Sequence, residues 1–285
     1  MTVETKPAPA GLWRNSGKVA EGRVPDMTVI SGAAMPDAGP PLRAERNRPL
    51  IIRYGKHLRG LFDRLIGSSS LVSNDPVLDV RDFPWTQHLR DNWEAIRDEA
   101  IAVALGEASP SLAAISPDHR AIAPVDKWRS FFLWGYGYSV EENLAACPAT
   151  TAAVAKIPDL NSAFFSILAP GTHIPPHRGV TKSLITCHLG LIVPKDGDVR
   201  MRVDNRLVRW AEGETLVFDD TYDHEVWNDT ANTRVVLLIQ VKRPLRNPGK
   251  WFAEAFLTVI RRSAFVQEAR DNIHNWNAAV KQLDI

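Results

Sequence analysis

The sequence has few cysteines, almost no net charge and no long apolar run, and each shortage argues against a class of protein. Cys147 and Cys187 are the two cysteines in 285 residues, too few for a disulfide scaffold and without the spacing of a zinc site. The formal net charge of +1 gives no reason to expect a nucleic-acid partner. A reducing cytoplasm is therefore the expected location.

Targeting and membrane-spanning signals are also missing. No window approaches the roughly eighteen apolar residues that a membrane span requires. The start, MTVETKPAPAGLW, carries an acidic residue and prolines where a signal peptide has its basic and apolar regions. We expect neither a membrane span nor export by that route, although contact with a membrane surface stays open.

The chain divides by composition into an arm and one domain. Residues 1–48 are rich in Pro, Gly and Ala and predict a flexible arm, whereas 49–285 predict a single domain. Apolar periodicity predicts outer helices at 54–66, 85–104 and 250–283. The first is amphipathic and basic, which suits either an anionic membrane surface or docking on the domain.

From residue 160 to about 244 the texture changes to short β-branched and aromatic runs separated by turns. AFFSIL, LITCHLGLIV, VRMRV, RLVRW, TLVFDD, HEVW and TRVVLLIQV each predict a strand. Asn205 and Gly213 are suited to positive φ in two tight connections. The earlier run KWRSFFLWGYGY predicts a strand or a lid. The expected class is mainly β, a double-stranded β-helix (jelly-roll, cupin-like) core with flanking helices.

Three of the eight histidines fall in the stretch GTHIPPHRGVTKSLITCHLGL. Neutral imidazole binds first-row transition metals, and a metal needs donors from separate strands. His177 and His224, in DDTYDHEVWND, can converge at the barrel mouth because the intervening strands run out and back. His173 is expected to shape its loop. Surface or capping roles are predicted for the four histidines outside this cluster: His57, His88, His119 and His274.

Two further pairs of residues flank His224. Asp219 and Asp220 resemble metal ligands, but turn formation and orientation of a histidine ring are the roles we predict for them. Trp227 and Asn228 are expected to fix the strand that carries His224.

Several motifs in order resemble one family. The segments HIPPHRG, CHLGLIVPKDGDVRMRVDNRLVRWAEGETLVFDDTYDHEVWNDT and TRVVLLIQVKRP are similar to the aspartyl/asparaginyl β-hydroxylase family of iron(II)- and 2-oxoglutarate-dependent oxygenases. The likeness is close over about 166–244 and extends more loosely to LRDNWEAIRDEA, similar to bacterial members that include lipid A and ornithine-lipid hydroxylases.

The resemblance implies a site and its cofactors. It assigns His177 and His224 as ligands of Fe(II), and Ser166, His188 and Arg234 as residues that bind the cosubstrate 2-oxoglutarate. Dioxygen, O2, is the second cosubstrate. A guanidinium such as that of Arg234 offers a bidentate and permanently charged partner for a carboxylate.

Two positions depart from the wider pattern. Most such oxygenases have a carboxylate two positions after the first histidine, and this sequence has Gly179, as the resemblance to the animal enzymes also implies. Relatives have an arginine at the position of Thr186, so a charge contact to the 1-carboxylate is missing. Arg178, Lys182 or Arg202 are candidates to replace it.

The expected activity is hydroxylation of an unactivated C–H bond in a peptide or a small molecule. An acyl chain of a membrane lipid is the alternative substrate. A non-catalytic, cupin-like binding module is a further alternative, because Gly179 and Thr186 suit a barrel that has lost turnover. A hydrolytic zinc site is disfavoured because no third ligand has a convincing spacing.

Overall fold

The computed structural model describes residues 50–104, 109–116, 119, 122 and 127–283, all within the compact unit Pro40–Ile285. The predicted arm, residues 1–48, lies outside the described residues. The helices are α1 Leu50–Ser69, α2 Thr86–Asp91, α3 Trp93–Ala104, α4 Leu112–Ile115, α5 Glu141–Ala146, α6 Pro148–Val154, α7 Gly249–Arg261 and α8 Ala264–Leu283. The strands are β1 Val77–Leu78, β2 Trp128–Gly135, β3 Tyr138–Ser139, β4 Leu160–Leu168, β5 Thr172–His177, β6 Leu184–Ile192, β7 Asp198–Val203, β8 Arg206–Arg209, β9 Thr215–Phe218, β10 His224–Asp229 and β11 Arg234–Lys242.

Two antiparallel sheets form the core. The larger has the order β1-β9-β6-β11-β4-β2-β3 and the smaller the order β5-β10-β7-β8. Phe164 and Val236 of the large sheet share one buried cluster with Met201 and Val226 of the small sheet, so the sheets pack face to face. This architecture confirms the predicted mainly-β jelly-roll class with flanking helices.

Alternation along the central strands decides what each side chain faces. Leu189 of β6 and Leu237 of β11 belong to a second buried cluster, which they share with Ile96 of α3. Their neighbours in sequence, His188 and Val236, point the other way because successive strand residues alternate between faces. Polar side chains of β6 therefore enter the space between the two sheets.

The predicted outer helices differ from the structure in their bounds. The helix expected over 54–66 runs from Leu50 to Ser69. The one expected over 85–104 is interrupted at Asn92, where φ is −116° and ψ is 11°. The Asn92 side-chain amide donates to the His88 carbonyl at 2.8 Å, a local bond that competes with helix continuation.

Some local predictions were incomplete or wrong. KWRSFFLWGYGY forms β2 and β3 and is not a lid. The positive φ in the first tight connection, 53°, lies at Asp204 and not at Asn205, whereas Gly213 has φ 76° as predicted. Strand β5 was not among the predicted strands. It contains two prolines and lies at the edge of the small sheet, where missing N–H groups cost no ladder bond.

Candidate functional site

The two histidines that the sequence singles out lie side by side. His177 ends β5 and His224 begins β10, and the two residues are direct partners in the antiparallel register. Their ring centroids are 4.0 Å apart. The fold thus brings two residues that are 47 positions apart in the sequence into contact at the end of the small sheet.

Each ring of the pair has a defined tautomer. His177 Nδ1 lies 2.8 Å from the Pro175 carbonyl, and His224 Nδ1 lies 3.0 Å from the Tyr222 carbonyl. Because a carbonyl only accepts, Nδ1 carries the proton in both rings and each Nε2 keeps its lone pair. Burial lowers the pKa of His177 to about 4 and also lowers the pKa of His224. Both imidazoles are therefore neutral donors, the form that binds iron.

The place beside Gly179 is filled by a different carboxylate. A Cβ on Gly179 would overlap the carboxylate of Asp220, whose oxygen Oδ2 accepts from Thr186 Oγ1 at 3.0 Å and Gln240 Nε2 at 3.1 Å. Burial and the charge of Asp219 raise the pKa of Asp220 to about 6. In the part of the chain that is described, no group of three His, Cys, Asp or Glu side chains is arranged to hold a metal. His177 and His224 are thus the candidate metal ligands that the described residues place side by side.

His188 lies deeper in the sandwich and keeps one polar atom unsatisfied. The Trp210 indole N–H donates to His188 Nδ1 at 3.2 Å, so the proton of the neutral ring is on Nε2. That Nε2 is buried and has no hydrogen-bond partner among the described residues. Since a buried N–H without a partner is costly, its position favours an acceptor brought in by a ligand.

Arg234 is a second buried donor. Its side chain is 2% exposed, and its guanidinium carbon lies 4.8 Å from the centre of the Trp210 ring. Burial lowers its pKa to about 9. Within the described ranges its Nε has no hydrogen-bond partner. Its Nη1 donates a long bond of 3.4 Å to the carbonyl of Ser166 on β4. A buried guanidinium in this state is suited to an incoming carboxylate.

The Ser166 hydroxyl is held in place by an aromatic residue. Trp128 Nε1 donates to Ser166 Oγ at 3.0 Å, and Ser166 is 2% exposed. Ser166 pairs with Val236 in the β4–β11 register, two residues from Arg234. Ser166, His188 and Arg234, predicted from the resemblance to act on one cosubstrate, are therefore carried by three adjacent strands of the large sheet.

The cations proposed to compensate for Thr186 already have carboxylate partners. Lys182 is paired with the buried Asp219. Arg202 NH2 lies 2.7 Å from Asp223 Oδ1, and Arg178, whose side chain is 61% exposed, lies 3.9 Å from the same carboxylate. The Thr186 hydroxyl donates instead to Asp220, so this position serves the carboxylate beside Gly179.

His119 is a residue whose position the sequence analysis missed. It is half-buried rather than on the surface. Its ring meets that of Trp128 edge to face, with centroids 5.5 Å apart. Burial and the nearby His177 and His224 lower its pKa to about 4. No signal in the sequence indicated this, because His119 lies far from the motif cluster and reaches the site only through the fold.

The residues predicted to support the histidine pair differ in how well the structure agrees with their predicted roles. Asn228 is fully buried and its side-chain amide donates to the Leu168 carbonyl at 3.1 Å, which ties β10 to the end of β4 as predicted. His173 bonds Glu225 at 2.7 Å and stays half exposed. The prediction that Asp219 or Asp220 orients a histidine ring was wrong, because backbone carbonyls accept both Nδ1–H bonds.

The fold and the site define a jelly-roll protein in which two neighbouring histidines lie at one end of the small sheet, and two buried polar atoms of the large sheet, His188 Nε2 and Arg234 Nε, have no partner among the described residues. The model of the family described as aspartyl/asparaginyl beta-hydroxylase matches residues 90–244. The chain belongs to this family, which confirms the resemblance found in the sequence.

Two relatives identified by sequence give the same result. An ornithine lipid ester-linked acyl 2-hydroxylase of Rhizobium tropici is 42% identical over 207 residues, which are 72% of this chain and 74% of that protein. The human aspartyl/asparaginyl beta-hydroxylase is 33% identical over 165 residues, 56% of this chain but 21% of its own length. Among solved structures, a Pseudomonas putida prolyl-4-hydroxylase matches with a TM-score of 0.36 and 19% identity over 54% of this chain and 87% of that chain.

Proposed function

We propose that this hydroxylase depends on iron(II), 2-oxoglutarate and dioxygen and acts on an acyl chain of a membrane lipid. The observation that carries the cofactor part is the pair of neutral imidazoles, His177 and His224, whose ring centroids are 4.0 Å apart and whose Nδ1 atoms each face a backbone carbonyl. The 42% identity to a lipid acyl 2-hydroxylase over most of that protein's length supports the substrate part.

The two histidines would hold the iron, which together with 2-oxoglutarate supplies the oxidant for C–H hydroxylation. His188 and Arg234 would bind the dicarboxylate through Nε2–H and the guanidinium, since His188 Nε2 and Arg234 Nε are among the buried polar atoms that lack partners in the described part of the chain. A carboxylate there would replace the lost hydration of Arg234 and raise its pKa back towards the ordinary value. Trp128 would keep the Ser166 hydroxyl turned towards the same group.

The lining of the site mouth also supports an apolar substrate. Val180 follows Gly179 directly and is 52% exposed. Two of the three nearby cations, Lys182 and Arg202, lie 2.5 and 2.7 Å from carboxylate oxygens. An acyl carbon held by apolar contacts needs no counter-charge, because the reacting C–H bond is itself apolar.

Succinate release from 2-oxoglutarate tests the proposal. Purified, metal-stripped protein reloaded with iron should form succinate and add one oxygen atom to an ornithine-lipid acyl chain, as detected by mass spectrometry. His224→Ala should abolish both signals. His173→Ala, which alters a half-exposed histidine of the same strand pair, is the matched control and should retain activity. Unchanged turnover in His224→Ala, or no succinate from the wild-type protein with any substrate, would reject the proposal; the second result favours a binding module without catalysis.

A second candidate substrate is an aspartyl or asparaginyl side chain. The name of the family and the 33% identity to the human enzyme favour it, as does the glycine at position 179. Under this alternative the oxygen would be found on the β-carbon of an acidic or amide residue in a peptide, and the lipid would remain unmodified in the same assay.

A further inference from the structure

Helix α7 presents apolar side chains to the outside. Trp251 is 64% exposed, Phe252 53% and Val259 44%. At about 100° per residue, these three and Ala255 fall within about 100° of one another on the helix circumference. We call them the outer face of α7. Ala253, which points the opposite way, is buried against α1. The outer face is therefore distinct from the face of α7 that packs on the rest of the protein.

Helix α1 adjoins α7 and extends the apolar surface. The rings of Phe62 and Phe256 have centroids 4.9 Å apart, and the Gly249 N–H donates to Ser69 Oγ at 3.2 Å. Leu61, next to Phe62, is 68% exposed. Large apolar side chains concentrated in this way on the exterior indicate a binding surface rather than scattered surface residues.

The charges of α7 and of the residues at its ends have one dominant sign. Arg246, Lys250, Arg261 and Arg262 lie between residues 246 and 262, against the single acidic residue Glu254. Among the described residues none of the four has an ion pair with an acidic side chain, although Arg246 donates to the Ser68 carbonyl at 2.8 Å and Arg261 to the Gly137 carbonyl at 2.9 Å. An excess of positive charge opposes pairing with a second copy of the same surface and attracts an anionic one.

This surface is connected directly to the candidate site. Arg59 of α1 donates to the Gly179 carbonyl at 2.7 Å, two residues after His177. Val180, the next residue, is 52% exposed. A flat ligand that covers α7 and α1 would thus lie close to the mouth of the metal-binding pair.

We propose that the outer face of α7 and the adjoining part of α1 form a peripheral binding surface for an anionic phospholipid bilayer. Tryptophan and phenylalanine insert into the interfacial region while lysine and arginine meet lipid phosphates. No helix in the described residues is long and apolar enough to cross a membrane. The proposal rests on the proposed lipid substrate for its purpose, because docking would deliver acyl chains to the site.

Vesicle sedimentation tests the surface. The full chain, without iron or cosubstrate, should bind vesicles of equimolar phosphatidylglycerol and phosphatidylcholine, and bind pure phosphatidylcholine at least about tenfold more weakly. Trp251→Ser and Phe252→Ser should each weaken binding about tenfold or more, since each removes a large apolar side chain from the bilayer. Leu207→Ser, which changes a leucine 54% exposed on β8, is the matched control and should leave binding unchanged.

Three results would overturn the proposal: wild-type binding in the Trp251→Ser, Phe252→Ser double variant, equal binding to neutral vesicles, or an equal loss in Leu207→Ser. A fourth result would favour self-association instead: the wild-type protein is a dimer in sedimentation velocity and does not bind vesicles, and the double variant is a monomer. Turnover is measured separately on detergent-dispersed lipid. Binding without succinate supports the surface and rejects the proposed function, whereas succinate without vesicle binding does the reverse.

Discussion

Replacing Arg234 by methionine is expected to stabilise the ligand-free protein and to abolish its response to 2-oxoglutarate. The guanidinium is 2% exposed and has no carboxylate partner among the described residues, so the fold carries the cost of a desolvated charge. Methionine fills a similar volume with a flexible apolar chain. A residue retained at a cost to stability is what a ligand-binding role requires.

The pKa of Arg234 sets the magnitude. Burial lowers it to about 9, more than three pKa units below the ordinary value, and about 1.36 kcal/mol per pKa unit makes the cost at least about 4 kcal/mol. Methionine loses the contact with the Trp210 ring at 4.8 Å, a loss of about 2 kcal/mol. The bond to the Ser166 carbonyl, at 3.4 Å, contributes little. The free energy of unfolding should therefore rise by about 2 kcal/mol.

Urea unfolding, followed by tryptophan fluorescence, measures both effects. With a redox-inactive divalent metal and 2-oxoglutarate at about a hundredfold excess over its Kd, the wild-type protein should gain about 2.7 kcal/mol, and Arg234→Met should gain almost nothing. Arg243→Met is the matched control. Arg243 is 3% exposed and paired with the fully buried Asp219, so its loss should destabilise the protein by about 3 kcal/mol.

Two results would refute this reasoning. If Arg234→Met destabilised the protein as much as Arg243→Met, Arg234 would have a structural partner that offsets its burial. If the variant kept the full response to 2-oxoglutarate, the dicarboxylate would bind elsewhere. Either outcome separates the stability argument from the assignment of the ligand.

Three further predictions follow from the same site. Gly179→Ala should lower the free energy of unfolding by about 3 kcal/mol in urea, because its Cβ overlaps the hydrogen-bonded Asp220; Gly60→Ala, with open space around it, should not. His188→Phe should raise the 2-oxoglutarate concentration for half-maximal succinate release at least about tenfold by removing the Nε2–H donor, and an unchanged requirement would exclude that contact. The free energy of unfolding of the apo-protein should fall as the pH drops from about 6.5 to 4, because His177, with its pKa lowered to about 4, is protonated in the unfolded chain but not in the folded one. A rise over this pH range would show that Asp220, with its pKa raised to about 6, has the larger effect.

The β core was predictable because its signal is local. In LITCHLGLIV the side chains that face the helices are apolar, and in β11 the run VVLLIQV is buried on both faces. Such runs between turn residues predict strands whatever surrounds them. Predictions failed where a single local bond or a sheet edge decided the outcome, as at Asn92 and in the proline-containing β5.

Residue types and their order were sufficient to identify His177 and His224 as a pair and to show that position 179 supplies no ligand, because imidazole and glycine differ in chemistry wherever they lie. The tertiary structure alone decided what surrounds them. Asp220 reaches Thr186 across 34 positions, and Arg234 reaches Ser166 across 68. Contacts at such separations depend on strand register, and the exposure of the outer face of α7 depends on which helix packs beside it. The local sequence sets neither of them, because both depend on how distant segments pack against each other.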